Sequence, residues 1–160
     1  PVALSSDISE MFLQVSIRGT GRPFHRFLWH SFDTSREPDV YELQRLLFGN
    51  KASPFCSQYV LQTHAASYSA KYPKAAETVA RSMYVDDVLD SAETVEDAKL
   101  LRSQLLELLD KAGFKLRQWS SNKIKVIEDV PPKDRLSKVI FSNDSTQRSR
   151  PLAWRSVEAS

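Results

Sequence analysis

Three acidic residues carry the strongest chemical signal in this sequence: Asp7, and the adjacent pair Asp86-Asp87 far downstream. Asp7 closes a short apolar run, Val2 to Asp7, that reads as a buried strand. Met83-Tyr84-Val85 before the pair and Val88-Leu89 after it read as the arms of a hairpin with the aspartates at its tip. An Asp-Asp pair in a turn is by itself ordinary solvated punctuation. Apolar arms on both sides make it a candidate site, because a turn without function rarely needs that charge density. Two strand ends side by side would bring three carboxylates within a few ångströms. Such a cluster repels itself and favours divalent cations. Hard carboxylate oxygens suit Mg²⁺, which keeps waters and takes substrate phosphates as further ligands. Two such ions about 4 Å apart can clamp the attacking and leaving oxygens of an in-line displacement.

The elements that must position these residues follow from pattern. Glu10 to Val15 predicts a turn or short helix and then a strand. Gly19 to Pro23 is a turn cluster, His25 to Phe32 an aromatic strand, Asp33 to Pro38 a turn, and Val40 to Phe48 the returning strand. Ser53-Pro54 has the cap-then-proline pattern of a helix start. The helix would run to about Lys71 and bury Phe55, Val60, Ala65 and Tyr68. Lys74 to Ala80 suits a short helix. Thr94-Val95-Glu96-Asp97 is a capping box, followed by Ala98, Leu101, Leu105 and Leu108 at helical spacing and by Gly113 as the stop. Phe114 to Trp119 predicts one more strand. The expected fold class is therefore α+β, an antiparallel sheet with helices packed on one face.

Bulk properties narrow the classes. The chain has 160 residues, 41% hydrophobic and 26% charged, which suits one folded domain. A net charge of +2 is too small to announce a DNA-coating protein. No apolar run is long enough to span a membrane, and no secretory leader is visible. Cys56 is the only cysteine, so no internal disulfide or cysteine-based zinc site can form, and an intracellular, cytoplasmic setting is expected. His25, His30 and His64 lack the close spacing of a zinc site. Arg18, Arg22 and Arg26 could track a phosphate backbone or line a solvated hairpin edge. The chain opens on Pro1, and the expectation is a truncated piece of a longer protein.

Three ordered segments resemble reverse transcriptases. Tyr84-Val85-Asp86-Asp87 resembles the YxDD box. Asp7 to Phe12 resembles the first aspartate motif, with its aromatic after the aspartate. Leu47 to Phe55 resembles the Gly-x-x-x-Ser-Pro segment between them. The phrasing of Met11 to Val15, Arg26 to Trp29, Phe48 to Phe55, Tyr84 to Ala98, Gly113 to Asn122 and Glu128 to Arg135 resembles the BEL/Pao group of LTR retrotransposons. The resemblance covers about residues 3 to 140, and it implies a polymerase palm over 1–140 with a polar tail at 141–160.

That resemblance implies an RNA-directed DNA polymerase, working by two-metal nucleotidyl transfer. Asp7, Asp86 and Asp87 would be catalytic metal ligands, with the carbonyl of Ile8 a further ligand. The cofactor would be two Mg²⁺ ions, with Mn²⁺ as a substitute. Phe12 would be the steric gate against a 2′-hydroxyl, or else a core residue. Phe48 and Gly49 would lie beside the incoming nucleotide, and Tyr84 and Val85 beside the primer end. Lys51 would meet template phosphate or solvent. Partners would be an RNA or DNA template, a primer and deoxynucleoside triphosphates, within a polyprotein that also carries protease, RNase H and integrase regions. Two departures stand out. Gln118 replaces the lysine of the BEL/Pao phrase, and Pro151 interrupts the stretch before Trp154 where a primer-gripping hairpin is expected. The alternatives are an inactive retroelement remnant that keeps the palm fold, and another two-metal phosphotransferase such as a nucleotide cyclase.

Overall fold

The computed structural model describes residues 1–136; the tail at 141–160, with Pro151 and Trp154, lies outside the described residues. The elements in chain order are β1 (Val2–Ser9), α1 (Met11–Gln14), β2 (Arg26–Trp29), β3 (Asp39–Glu42), α2 (Ser53–Ser67), α3 (Pro73–Arg81), β4 (Met83–Tyr84), β5 (Asp87–Ala92), α4 (Val95–Asp110) and β6 (Lys115–Ser121). Short 3₁₀ turns add Arg22–His25, Ile124–Val126 and Pro132–Asp134. The main sheet has the order β4-β5-β1-β6 and is antiparallel throughout. The predicted α+β class, an antiparallel sheet with helices, is what the chain forms.

Strand alternation decides which face the helices take. On β1, Val2, Leu4 and Ile8 are buried, as are Val88 of β5 and Leu116 of β6. These residues share one face, which packs against α3 and α4, with α2 packed on both helices. Ala3, Ser5 and Asp7 of β1 point to the other face.

The clearest predicted helix forms as read. Thr94 Oγ1 accepts from the Asp97 amide and donates to the Asp97 carboxylate, a reciprocal cap of the kind that contributes about 1 kcal/mol. Ala98, Leu101, Leu105 and Leu108 are all buried. Gly113 takes φ +80, the left-handed stop, and the Phe114 amide reaches back to the Leu109 carbonyl.

Five expectations need correction. β1 does not end at Asp7 but runs on to Ser9. The segment after α1 forms no strand, only a single bridge from Ser16 to Arg45. The returning strand stops at Glu42, and Leu46 dives into the core instead of continuing the ribbon. The buried side of α2 is Ser53, Ser57, Leu61 and Ala65, while Phe55, Val60 and Tyr68 face solvent. The buried ridge repeats every fourth residue and is made mostly of small side chains, which let the helix approach its neighbours closely. Size misdirected the reading, since the large aromatics project outward. Ser53 is also not the cap: Ala52 holds that position, and the Ser53 hydroxyl donates to the Leu47 carbonyl at 2.6 Å.

The ribbon β2-β3 stands apart from the main sheet, with every residue of both strands exposed. Phe27 stacks on Tyr41, and Trp29 packs edge-on to Phe32. The basic residues there are already engaged: Arg26 pairs with Glu42, and Arg22 Nε donates to the Ile17 carbonyl. Among the described residues, no helix is long and apolar enough to cross a membrane.

Candidate metal centre at a hairpin tip

The three aspartates converge. Asp7 lies directly opposite Asp87 in the β1–β5 register, and Asp86 occupies the turn just before β5. One carboxylate oxygen from each falls within 4.8 Å of the other two. Because Asp7 and Asp87 sit on alternating positions with buried Ile8 and Val88, both point away from the helices. The tip is offset by one residue from the predicted one. Val85 and Asp86 form the two-residue loop, Tyr84 and Asp87 close it, and the Ile8 amide donates to the Asp86 carbonyl at 2.8 Å.

This tip is strained. Val85 takes φ +57 at the first loop position, where hairpins of this length favour glycine. A β-branched side chain there is a genuine outlier, at a cost of order 1–3 kcal/mol. The Val85 carbonyl accepts a hydrogen bond from Gln58 Nε2 of α2 at 2.5 Å. Sequence reasoning missed Gln58, because a lone glutamine on a helix carries no signal of a partner 27 residues away.

Among the described residues, the cluster has no compensating cation paired to it. Burial first, then the charges of Asp86 and Asp87, push the Asp7 carboxyl above its ordinary range. Burial and Asp86 do the same to Asp87. Arg117 stands opposite Asp7 across β1 and β6, yet its guanidinium is bonded to Asp134 at 2.9 Å. The donor set of three hard oxygens, held close at a net repulsion, fits a divalent cation.

The other predicted residues are placed as follows. Ile8 neighbours Asp7, with its side chain in the core. Phe12 is half-buried on α1 and packs against the core, and α1 contacts α2. Phe48 and Tyr84 are exposed, at 79% and 74%. Gly49 takes φ +83 and Lys51 is exposed, both in the loop that leads into α2. Gln118 also has positive φ, at the point where the β1–β6 register shifts between Ser5 and Asp7. Among the described residues the histidines share no ligand cluster; His64 contacts the Leu108 carbonyl, His30 the Arg36 carbonyl and His25 the Asn50 amide. No protein-family model matches the chain, and no curated protein matches it.

Proposed function

We propose that this chain is the palm of an RNA-directed DNA polymerase of the retrotransposon type, adding deoxynucleotides to a primer 3′-hydroxyl on an RNA or DNA template. The observation that carries the reading is the approach of Asp7, Asp86 and Asp87 to within 4.8 Å, at a hairpin tip that reads Tyr-Val-Asp-Asp. Bound Mg²⁺ would acidify the primer hydroxyl and neutralise the triphosphate. In the reaction, the 3′-oxygen bonds to the α-phosphorus, the bond to pyrophosphate breaks, and the hydroxyl proton leaves to water. Asp7 and Asp86 would be the main metal ligands, with Asp87, directly opposite Asp7 in the strand register, as the assisting third. Positioning and charge stabilisation supply most of the catalysis in phosphoryl transfer.

The surrounding residues take roles that match their exposure. Tyr84 and Phe48 present open aromatic faces; Tyr84 and Val85 would meet the primer end, Phe48 and Gly49 the incoming nucleotide, and Lys51 the template phosphate. Phe12, half-buried beside the core, is the candidate gate against a 2′-hydroxyl. Since Arg117 is held by Asp134, the cations for the triphosphate would come from a fingers region joined to this palm.

The test is primer extension with Mg²⁺. Residues 1–160 alone are expected to show none. A chimera carrying fingers and thumb from a reverse transcriptase should extend a primer, and Asp86→Asn in it should abolish extension, because a neutral amide is a poor Mg²⁺ ligand. Phe12→Ala should admit ribonucleotides, read as the ratio of deoxy- to ribonucleotide incorporation. Extension that survives Asp86→Asn refutes the two-metal assignment. A folded chimera that stays silent favours the inactive-remnant reading.

A further inference from the structure

We propose that Gln58 is the positioning residue of the carboxylate cluster: its side-chain amide clamps the strained hairpin tip to α2 and so fixes Asp86 and Asp87 against Asp7. The consequence for metal binding rests on the reading above; the clamp itself is a matter of geometry alone.

The tip needs an external tie. β4 has only two residues and lies at the edge of the sheet. Val85 holds φ +57 without being glycine, so its peptide gains by rotating whenever nothing holds it. Gln58 supplies the hold. A carbonyl can only accept, so the amide nitrogen must face it, at 2.5 Å. The post behind Gln58 is rigid. Its neighbours Ser57 and Leu61 are fully buried, and the Ser57 hydroxyl is bonded to the Ser53 carbonyl. The Ile8–Asp86 hydrogen bond then transmits the tip's position to β1 and Asp7.

The experiment uses the whole chain and two readouts. The first, without metal, is hydrogen-exchange protection of the Ile8 amide. The second is affinity for Mn²⁺ alone, followed by its electron paramagnetic resonance signal. In Gln58→Met, which keeps length but loses the donor, Ile8 should exchange faster, and Mn²⁺ should bind about 10-fold or more weakly. The melting temperature should stay close to that of the parent. Adding Val85→Gly should restore both readouts, because glycine takes positive φ without strain. Rescue by a change at the other end of one hydrogen bond is not expected of a merely structural residue. Gln58→Glu, which turns an acceptor toward the carbonyl, serves as a second variant with the same expected losses. Parental Ile8 protection in a folded Gln58 variant overturns the clamp. Faster Ile8 exchange with unchanged Mn²⁺ affinity overturns its link to the cluster. If the parent chain itself binds no Mn²⁺, the polymerase reading falls, and the clamp is still decided by Ile8 exchange.

Discussion

Asp129 and Asp7 are both carboxylates beside other charges, and the fold treats them in opposite ways. Asp129 meets the guanidinium of Arg102 in a two-pronged contact, at 2.7 and 2.5 Å, and that hydrogen bonding draws its pKa down to about 2. Asp7 meets two further carboxylates, and its pKa is raised. Arg117, opposite it on β6, is bonded to Asp134 instead. Arg102 is buried on α4 while Asp129 is largely open, so that pair stitches the segment after β6 to the helix. A matched charge pair is what structure alone calls for. A mismatched cluster lowers stability, and charge arrangements of that kind are enriched at functional sites.

The comparison can be broken from either side. The largest expected effect is at the cluster: Asp7→Asn should weaken divalent-cation affinity by at least about 100-fold. The same change should raise the stability of the metal-free protein by about 0.5 kcal/mol, since like charges directly opposite on paired strands repel. Both are read by a melting curve with and without Mg²⁺. Next comes Asp129→Asn, expected to destabilise by about 1 kcal/mol, because solvent already screens the open side of the pair. It should leave cation affinity unchanged, as checked by denaturant unfolding and Mn²⁺ titration.

The two sites also respond to pH with opposite sign. Asp129 has a lowered folded pKa, so its contribution is present above about pH 4 and is lost as pH falls toward about 2. Asp7 and Asp87 have raised folded values, so their repulsion is relieved by protonation, and their contribution to stability falls as pH rises through those values. Melting temperature against pH should therefore show less loss on going from pH 4 to pH 7 in Asp7→Asn than in the parent. Mg²⁺ should abolish that difference. The smallest effect is expected for Asp134→Asn, which frees Arg117 to turn toward Asp7. It should weaken Mn²⁺ by a few-fold, about 0.5 kcal/mol.

Much of this fold was readable where local chemistry acts alone. Thr94, Asp97 and Gly113 mark the ends of α4 by hydrogen bonds and backbone geometry that neighbours in sequence decide. The aspartates were readable because charge between apolar strands conflicts with simple burial. The face of α2 was not, since Ser53 and Ser57 are buried by close helix approach, which single-residue polarity does not report. Nor was the one-residue shift of the hairpin tip. Glycine would have marked Val85 as the left-handed position, and valine conceals it. Gln58 and Asp134 matter only through long-range partners, Val85 and Arg117, so neither left a local pattern to read.

The most direct test of the central claim is a Mn²⁺ titration of the whole chain, followed by electron paramagnetic resonance, in the parent and in Asp86→Asn. The account expects the parent to take up the ion, so that the sharp signal of free Mn²⁺ falls, Mg²⁺ to compete for the same site, and Asp86→Asn to leave the free-ion signal undiminished while keeping the parent's circular dichroism spectrum. Equal Mn²⁺ uptake by the parent and by a folded Asp86→Asn would contradict it, because the three carboxylates would then not be the ligands.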